Sequence, residues 1–120
     1  MEFTVQDVDG HHFIEGAPGQ PLIERAEDVR VLIEACFDHG AHALLLYPEN
    51  LTARFFDLSS GEAGEILQRL RNYRIRLAVI RSPALQPSRR FAELLADERG
   101  APYFRVFDAR LVAREWLCSE

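Results

Sequence analysis

The chain has 120 residues, which is the length of one domain and leaves no room for a second hydrophobic core. Hydrophobic residues make up 48% of the sequence and charged residues 28%, and these ordinary globular values argue against a disordered or fibrous chain. The formal net charge of −5 argues against general nucleic-acid binding. All 14 basic residues are arginine, so a phosphate-loop lysine, a Schiff-base lysine and a lysine general base are excluded.

The two cysteines, Cys36 and Cys118, belong to no CxxC pair and are too few for a disulfide framework. We therefore expect free thiols and a reducing, cytoplasmic location, with Cys36 buried on a helix and Cys118 exposed. The amino terminus shows no basic segment followed by an apolar run, so no secretory signal is expected. Every apolar run is far shorter than the roughly 20 residues that cross a bilayer, so no membrane span is expected.

The first third of the chain predicts a β-hairpin followed by an amphipathic helix. Asp9-Gly10 is a turn signal between two short apolar segments, one carrying Phe3, Val5 and Val8 and the other Phe13 and Ile14. A loop over residues 16–21 follows, because this stretch carries two glycines and two prolines. Helical spacing then predicts a buried stripe that ends before Gly40 and consists of Val29, Leu32, Ile33, Cys36 and Phe37.

The rest of the chain predicts strands that alternate with helices. Continuous apolar runs predict strands over residues 42–47, 75–80 and 103–107. A helix beginning near Ser59 is expected to bury Ala63, Ile66, Leu67, Leu70 and Tyr73; a later one carries Phe91, Leu94 and Leu95; the last, capped by Asp108, carries Leu111, Val112 and Trp116. The order β-β-α-β-α-β-α-β-α predicts one α/β domain over residues 1–120, with a mixed, largely parallel sheet of about five strands flanked by helices.

Three motifs in the middle of the chain carry a resemblance to a known family. They are Phe55-Phe56-Asp57-Leu58, Gly61-Glu62-Ala63-Gly64-Glu65 and Asn72-Tyr73-Arg74. Together with the preceding apolar strand they resemble family 4180 of the bacterial domains of unknown function. The element order also resembles the STAS fold of anti-sigma-factor antagonists, in which a serine before a helix can be phosphorylated to switch partner binding. The resemblance implies a STAS-like fold and no established activity.

The segment Asp57-Leu58-Ser59-Ser60-Gly61 is the candidate site, because it lies where a strand is expected to give way to a helix. Free backbone N–H groups at a helix start can hold an anion, and Ser59 or Ser60 could be phosphorylated there. The structural alternative is that Ser59 caps the helix, which is worth about 1 kcal/mol. No histidine is near Asp57 in the sequence, so a nucleophilic triad is not supported.

Arginines crowd the end of the second predicted helix and the strand after it: Arg69, Arg71, Arg74, Arg76 and Arg81. Such a cluster could bind phosphate or an acidic partner, although glutamates are available to pair with it on a solvated surface. Gly64 interrupts the same helix, and we expect it to face the sheet in a close contact. The four histidines have no HExxH or CxxC context, so neither a metal nor a cofactor is expected.

These observations favour a small, non-catalytic protein-interaction or regulatory module, with a protein partner or a second copy of the chain as its partner. The alternative is a small-molecule-binding or anion-binding protein, or an enzyme, that uses Asp57, Ser59 and Ser60 at the carboxyl edge of the sheet. A concave cavity of roughly 300 Å³ or more with converging polar groups would favour the alternative. A flat apolar patch would favour a protein partner.

Overall fold

The computed structural model describes residues 3–8, 10–17, 19, 21–51, 62–80 and 103–118. Within them the elements are β1 (Phe3–Val8), β2 (His11–Gly16), α1 (Val29–His39), β3 (Ala43–Leu46), α2 (Glu62–Asn72), β4 (Arg76–Ile80), β5 (Phe104–Phe107) and α3 (Arg110–Leu117). Short 3-10 turns precede α1 at Ala26–Asp28 and follow β3 at Pro48–Asn50. This order confirms the α/β class. The helix predicted around Phe91, Leu94 and Leu95 lies outside the described residues.

The five strands form one mixed sheet in the order β1-β2-β3-β4-β5. The predicted hairpin is confirmed, because β1 pairs with β2 antiparallel and Gly10 adopts a φ of 85° in the turn between them. The remaining neighbours are parallel, and their register aligns Ile14 with Leu44, Leu44 with Leu77, and Leu77 with Phe104. These four buried side chains cross the sheet as one apolar row.

Helices cover both faces of the sheet. Alternate residues of a strand point to opposite faces, so Leu44 and Leu46 face one side while Ala43 and Leu45 face the other. The Leu44 side packs with the buried residues of α1 and α2, and the Leu45 side packs with Ala113 and Leu117 of α3. Right-handed connections between neighbouring parallel strands put α1 and α2 on the same face. Because α3 follows the last strand, it is free to cross to the other face.

Two aromatic residues that the sequence predicts to be buried are exposed instead. Phe37 is 59% exposed and Tyr73 49% exposed, so placing both on buried helical stripes was wrong. Tyr73 follows the end of α2, and its ring meets that of Phe37 edge-to-face with centroids 5.4 Å apart. In α3 the buried residues are Ala113 and Leu117, and the helix is preceded by Ala109 in an extended conformation, so Asp108 is not its cap.

Gly64 also corrects a prediction, because it does not approach the sheet. The residue is exposed in α2, and a Cβ atom added there would meet nothing within 4 Å. The close-packing explanation for this glycine is therefore wrong. Buried contacts of α2 come from Ile66, Leu67 and Leu70, which lie on another side of the helix.

We expect Gly64→Ala to stabilise the protein by about 0.5–1 kcal/mol, because alanine loses less backbone entropy in a helix and nothing obstructs its methyl group. Gly40→Ala is the matched control. A Cβ at Gly40 also meets nothing, but its φ of 65° is strained for alanine, so a loss of about 1 kcal/mol is expected. Urea denaturation measures the free energy of unfolding of both variants. A destabilised Gly64→Ala variant would contradict the exposed position.

The two thiols differ in accessibility. Neither cysteine forms a disulfide; Cys36 is buried in the core, and Cys118, directly after α3, is half-buried. Burial raises the pKa of the Cys36 thiol to about 12. Native protein treated with a thiol reagent at pH 8 should label at Cys118 first and at Cys36 only after denaturant is added. Labelling of Cys36 at the native rate of Cys118 would show that this part of the core opens readily.

Candidate functional sites at the two edges of the sheet

A partly buried ion pair lies at the carboxyl edge of the parallel strands. Glu15, near the end of β2, is only 7% exposed. Arg110, the first residue of α3, donates from Nε to Glu15 Oε2 at 2.8 Å and from its terminal amino group to Oε1 at 2.9 Å. The hydroxyl of Tyr47, which follows β3, donates to the same Oε2 at 2.6 Å. Three donors therefore engage both oxygens of a single carboxylate.

The charges of this cluster are mutually stabilised. The hydrogen bonds from Arg110 lower the pKa of Glu15, and that from Tyr47 adds to them, although burial acts in the opposite direction. Burial raises the pKa of Tyr47 to about 12, and the Glu15 carboxylate contributes to this shift. The same carboxylate raises the pKa of Arg110. At neutral pH the cluster is thus an ionised pair with a neutral phenol, and it acts as a clamp between α3 and the sheet.

Asn50 extends this edge as a fully buried polar side chain. Its Oδ1 accepts from the backbone N–H of Tyr47 at 2.7 Å, and its Nδ2 donates to the carbonyl of Ala17 at 2.8 Å. A Cβ atom at Gly16 would collide with the Asn50 side chain, so a glycine is required where β2 passes it. The amide thereby ties the loop after β3 to the end of β2.

The residues predicted as a phosphorylation or anion site, Asp57, Ser59, Ser60 and Gly61, lie outside the described residues. The serine switch stays a prediction. Arg81 of the arginine cluster lies outside them as well.

Among the described residues, a cavity with several polar groups in its lining lies at the opposite, amino edge of the sheet. It encloses about 380 Å³ where the parallel strands begin, and we call it the amino-edge cleft. Its floor includes the buried residues Ala43 and Leu117. Its walls come from the β1–β2 turn, the strand starts and the helix ends: Gly10, His11, His12, Gly40, His42, Arg74, Arg76 and Tyr103.

The polar side chains of the cleft differ in whether they have a partner among the described residues. Arg76 donates to the carbonyl of Trp116 at 3.2 Å, and its guanidinium lies 5.7 Å from the centroid of the Trp116 ring. At the rim, Nδ1 of His12 lies 3.9 Å from Oδ1 of Asp7. Arg74 is exposed, and no described side chain pairs with its guanidinium. The cleft therefore combines an arginine held by Trp116 with an exposed arginine that has no partner among the described residues.

Metal-ligating side chains do not cluster within the described part of the chain. Among the described residues, no three histidine, cysteine, aspartate or glutamate side chains are placed to share one ion. Nor does any helix of the described part of the chain have the length and apolarity to cross a membrane.

The cluster of Glu15, Tyr47 and Arg110 was not predicted from the sequence, for a physical reason. Tyr47 and Arg110 reach Glu15 from 32 and 95 residues away, so no local pattern joins them. The one local signal was Glu15 itself, a carboxylate directly after the apolar pair Phe13-Ile14 in a strand. A charged residue in that setting needs a partner, because it is almost never fully buried alone.

We expect Arg110→Met to destabilise the protein by about 2–3 kcal/mol, since it leaves the Glu15 carboxylate buried beside a single donor. Arg30→Met is the matched control. Arg30 lies 4.0 Å from Glu34 with both side chains exposed, so its loss should cost less than about 0.5 kcal/mol. Equilibrium urea unfolding at pH 7 compares the two variants with the wild type.

The effect of Arg110→Met should depend on pH. The pKa of Glu15 is lower in the folded protein than its ordinary 4.5. The contribution of the ionised carboxylate to the free energy of unfolding is therefore complete above pH 4.5. That contribution is lost as pH falls through the folded pKa, and the difference in unfolding free energy between wild type and variant should narrow accordingly. A difference that stays constant from about pH 6 to pH 3 would show that the ion pair does not cause it.

Comparisons with known proteins place the chain in a family but not in a functional class. The model of a family described as a domain of unknown function, DUF4180, matches residues 8–117. No curated protein and no solved structure matches significantly, so the STAS-like resemblance stays a prediction. The match extends from the end of β1 to the last residue of α3, and it includes the clamp and every described lining residue of the amino-edge cleft. The chain therefore belongs to the DUF4180 family.

Proposed function

We propose that this protein is a non-catalytic regulatory module that binds a small ligand in the amino-edge cleft. The observation that supports the proposal best is the cavity of about 380 Å³, into which polar side chains converge from the starts of four strands. Ligand sites in proteins commonly enclose about 300–1,000 Å³ and combine apolar walls with a few oriented polar groups. The cleft has both features, since Ala43 and Leu117 are apolar and its rim is polar.

The chemistry of the lining favours binding over catalysis. Its side chains are histidine, arginine and tyrosine, all of which can donate hydrogen bonds, and the described lining includes no carboxylate, serine or cysteine. Such a set suits an acceptor-rich ligand, and it lacks a serine, cysteine or carboxylate nucleophile for the histidines to activate. This proposal adopts the ligand-binding alternative raised by the sequence, but at the edge opposite to the one expected.

A fragment screen on the full ¹⁵N-labelled chain tests the proposal. Binders should shift the backbone amide signals of residues 10–12, 40–43 and 74–76, which surround the cleft. His42→Ala should weaken such a binder about fivefold, which corresponds to one hydrogen bond. His39→Ala is the control, because His39 ends α1 only three residues away and does not line the cleft.

Two results would overturn the ligand-binding proposal. One is a screen in which no fragment shifts the cleft amides at millimolar concentration. The other is a set of binders whose shifts centre on the carboxyl edge and whose affinity is equal in the His42→Ala and His39→Ala variants.

A second candidate function, self-association, rests on the exposed aromatic pair. Phe37 and Tyr73 stand beside a groove of about 430 Å³ between α1 and α2, a setting in which aromatic side chains commonly anchor protein contacts. Arg30 and Glu34 line the same groove as an exposed, loosely paired couple. Because opposite charges lie side by side on this surface, a two-fold arrangement can pair Arg30 of one copy with Glu34 of the other, and we propose a second copy as its occupant.

Sedimentation velocity over a concentration series tests this second proposal. The wild type should show a concentration-dependent dimer, and Phe37→Ser should remain monomeric. Leu111→Ser is the matched control, because Leu111 has the same exposure of 59% as Phe37 and lies on α3. A wild type that is monomeric at every concentration, or a dimer that persists in Phe37→Ser, would overturn it. Binding of a different protein at Phe37 by a monomeric wild type would also reject the second copy as the occupant.

A further inference from the structure

Two helices end in the amino-edge cleft with the same backbone motif but with different residues. At the end of α1, Ala41 N–H donates to the carbonyl of Cys36 and Gly40 has a φ of 65°. At the end of α2, Ile75 N–H donates to the carbonyl of Leu70 and Arg74 has a φ of 56°. Both are the left-handed termination that favours glycine, because a Cβ atom is strained there. Only the first has the residue that the backbone prefers.

The strain at Arg74 points to a requirement for its side chain. An arginine in this conformation costs stability that glycine would not, and such residues concentrate at functional sites. Arg74 is the non-glycine residue with positive φ among the described residues, and it lines the cleft. The backbone alone therefore does not explain why an arginine occupies this position.

Other arginines already stabilise the helix ends near Arg74. The carboxyl end of a helix attracts cations, which could by itself account for an arginine here. However, α2 already carries Arg69 and Arg71 in its last turn, α3 carries Arg114, and Arg76 donates to the Trp116 carbonyl at the end of α3. Arg74 adds a further cation beyond these, and within the described residues its guanidinium has no carboxylate partner.

We infer that the ligand of the amino-edge cleft carries an oxyanion, a carboxylate or a phosphate group, and that Arg74 is the residue that binds it. This inference rests on the proposed ligand-binding function. A guanidinium presents paired N–H donors that match the two oxygens of such a group. Tyr103, His11 and His42 line the same cleft and can supply further donors to the anion. The strained backbone is then the cost of directing the exposed guanidinium of Arg74 to the ligand.

Titration of the full chain with matched small molecules tests the inference. The probes are inorganic phosphate, succinate and succinamide, the last being the uncharged analogue of succinate, in low-salt buffer free of other oxyanions. We expect phosphate or succinate to shift the amide signals around the cleft, and succinamide to bind at least tenfold more weakly. Whether phosphate or succinate binds more tightly distinguishes the two oxyanion classes. Added sodium chloride should weaken the binding of the charged probe.

Arg74→Gly separates binding from folding. The variant should bind the charged probe about tenfold to a hundredfold more weakly. Its melting temperature should stay unchanged or rise, because the backbone strain is relieved. Arg74→Asn is a second variant that tolerates the left-handed backbone and lacks the charge, so it should behave similarly. Arg25→Ala is the control, since it removes an exposed arginine outside the cleft and should bind as the wild type does.

The outcomes distinguish this inference from the function on which it rests. If succinamide binds in the cleft as tightly as succinate, or if Arg74→Gly retains wild-type affinity, the oxyanion inference is wrong and the ligand-binding function stands. If Arg74→Gly lowers the melting temperature, Arg74 has a structural role and the strain argument is wrong. If neither anion binds the cleft at millimolar concentration, the oxyanion inference falls, and the fragment screen decides on the function separately.

Discussion

The burial of β3 on both faces is the constraint from which the rest of the architecture follows. Each of its four residues, Ala43 to Leu46, is at most 4% exposed. A strand without a solvated face must be covered by two layers, as parallel strands in α/β proteins generally are. The helices α1 and α2 supply one layer, and α3 is left to supply the other.

The helix α3 can cover its face because it is held at both ends. It has only eight residues, and its buried side chains are Ala113 and Leu117, a small apolar area for a helix. At its start Arg110 binds Glu15 on β2, and at its end the Trp116 carbonyl accepts a hydrogen bond from Arg76 on β4. Polar contacts thus position a helix that hydrophobic burial alone would hold weakly. Leu117 is also part of the cleft floor, so the clamp at one edge helps to shape the site at the other.

The two edges of the sheet have different chemistry for the same topological reason. Parallel strands all begin at one edge and end at the other, so each edge collects side chains that are distant in sequence. Ligands of open α/β sheets generally bind at the carboxyl edge. Here the described side chains of that edge satisfy one another, with Glu15 engaged by Tyr47 and Arg110. The amino edge instead holds donors such as Arg74 that have no described partner, and this asymmetry is the basis of the proposed function.

Local sequence patterns determined the class of the fold and most of its elements. Backbone preference and side-chain periodicity act directly over a few residues. Signals of this kind are the Asp9-Gly10 sequence before β2, the apolar run of β3 and the glycine that ends α1. Packing between elements decided what such patterns cannot contain. Phe37 and Tyr73 fit helical stripes but are exposed, since exposure depends on the position of the neighbouring layer. Only the tertiary structure joined Glu15 to Arg110 or gathered His11, His42 and Arg74 around one cavity, because these contacts depend on strand order and register rather than on spacing along the chain.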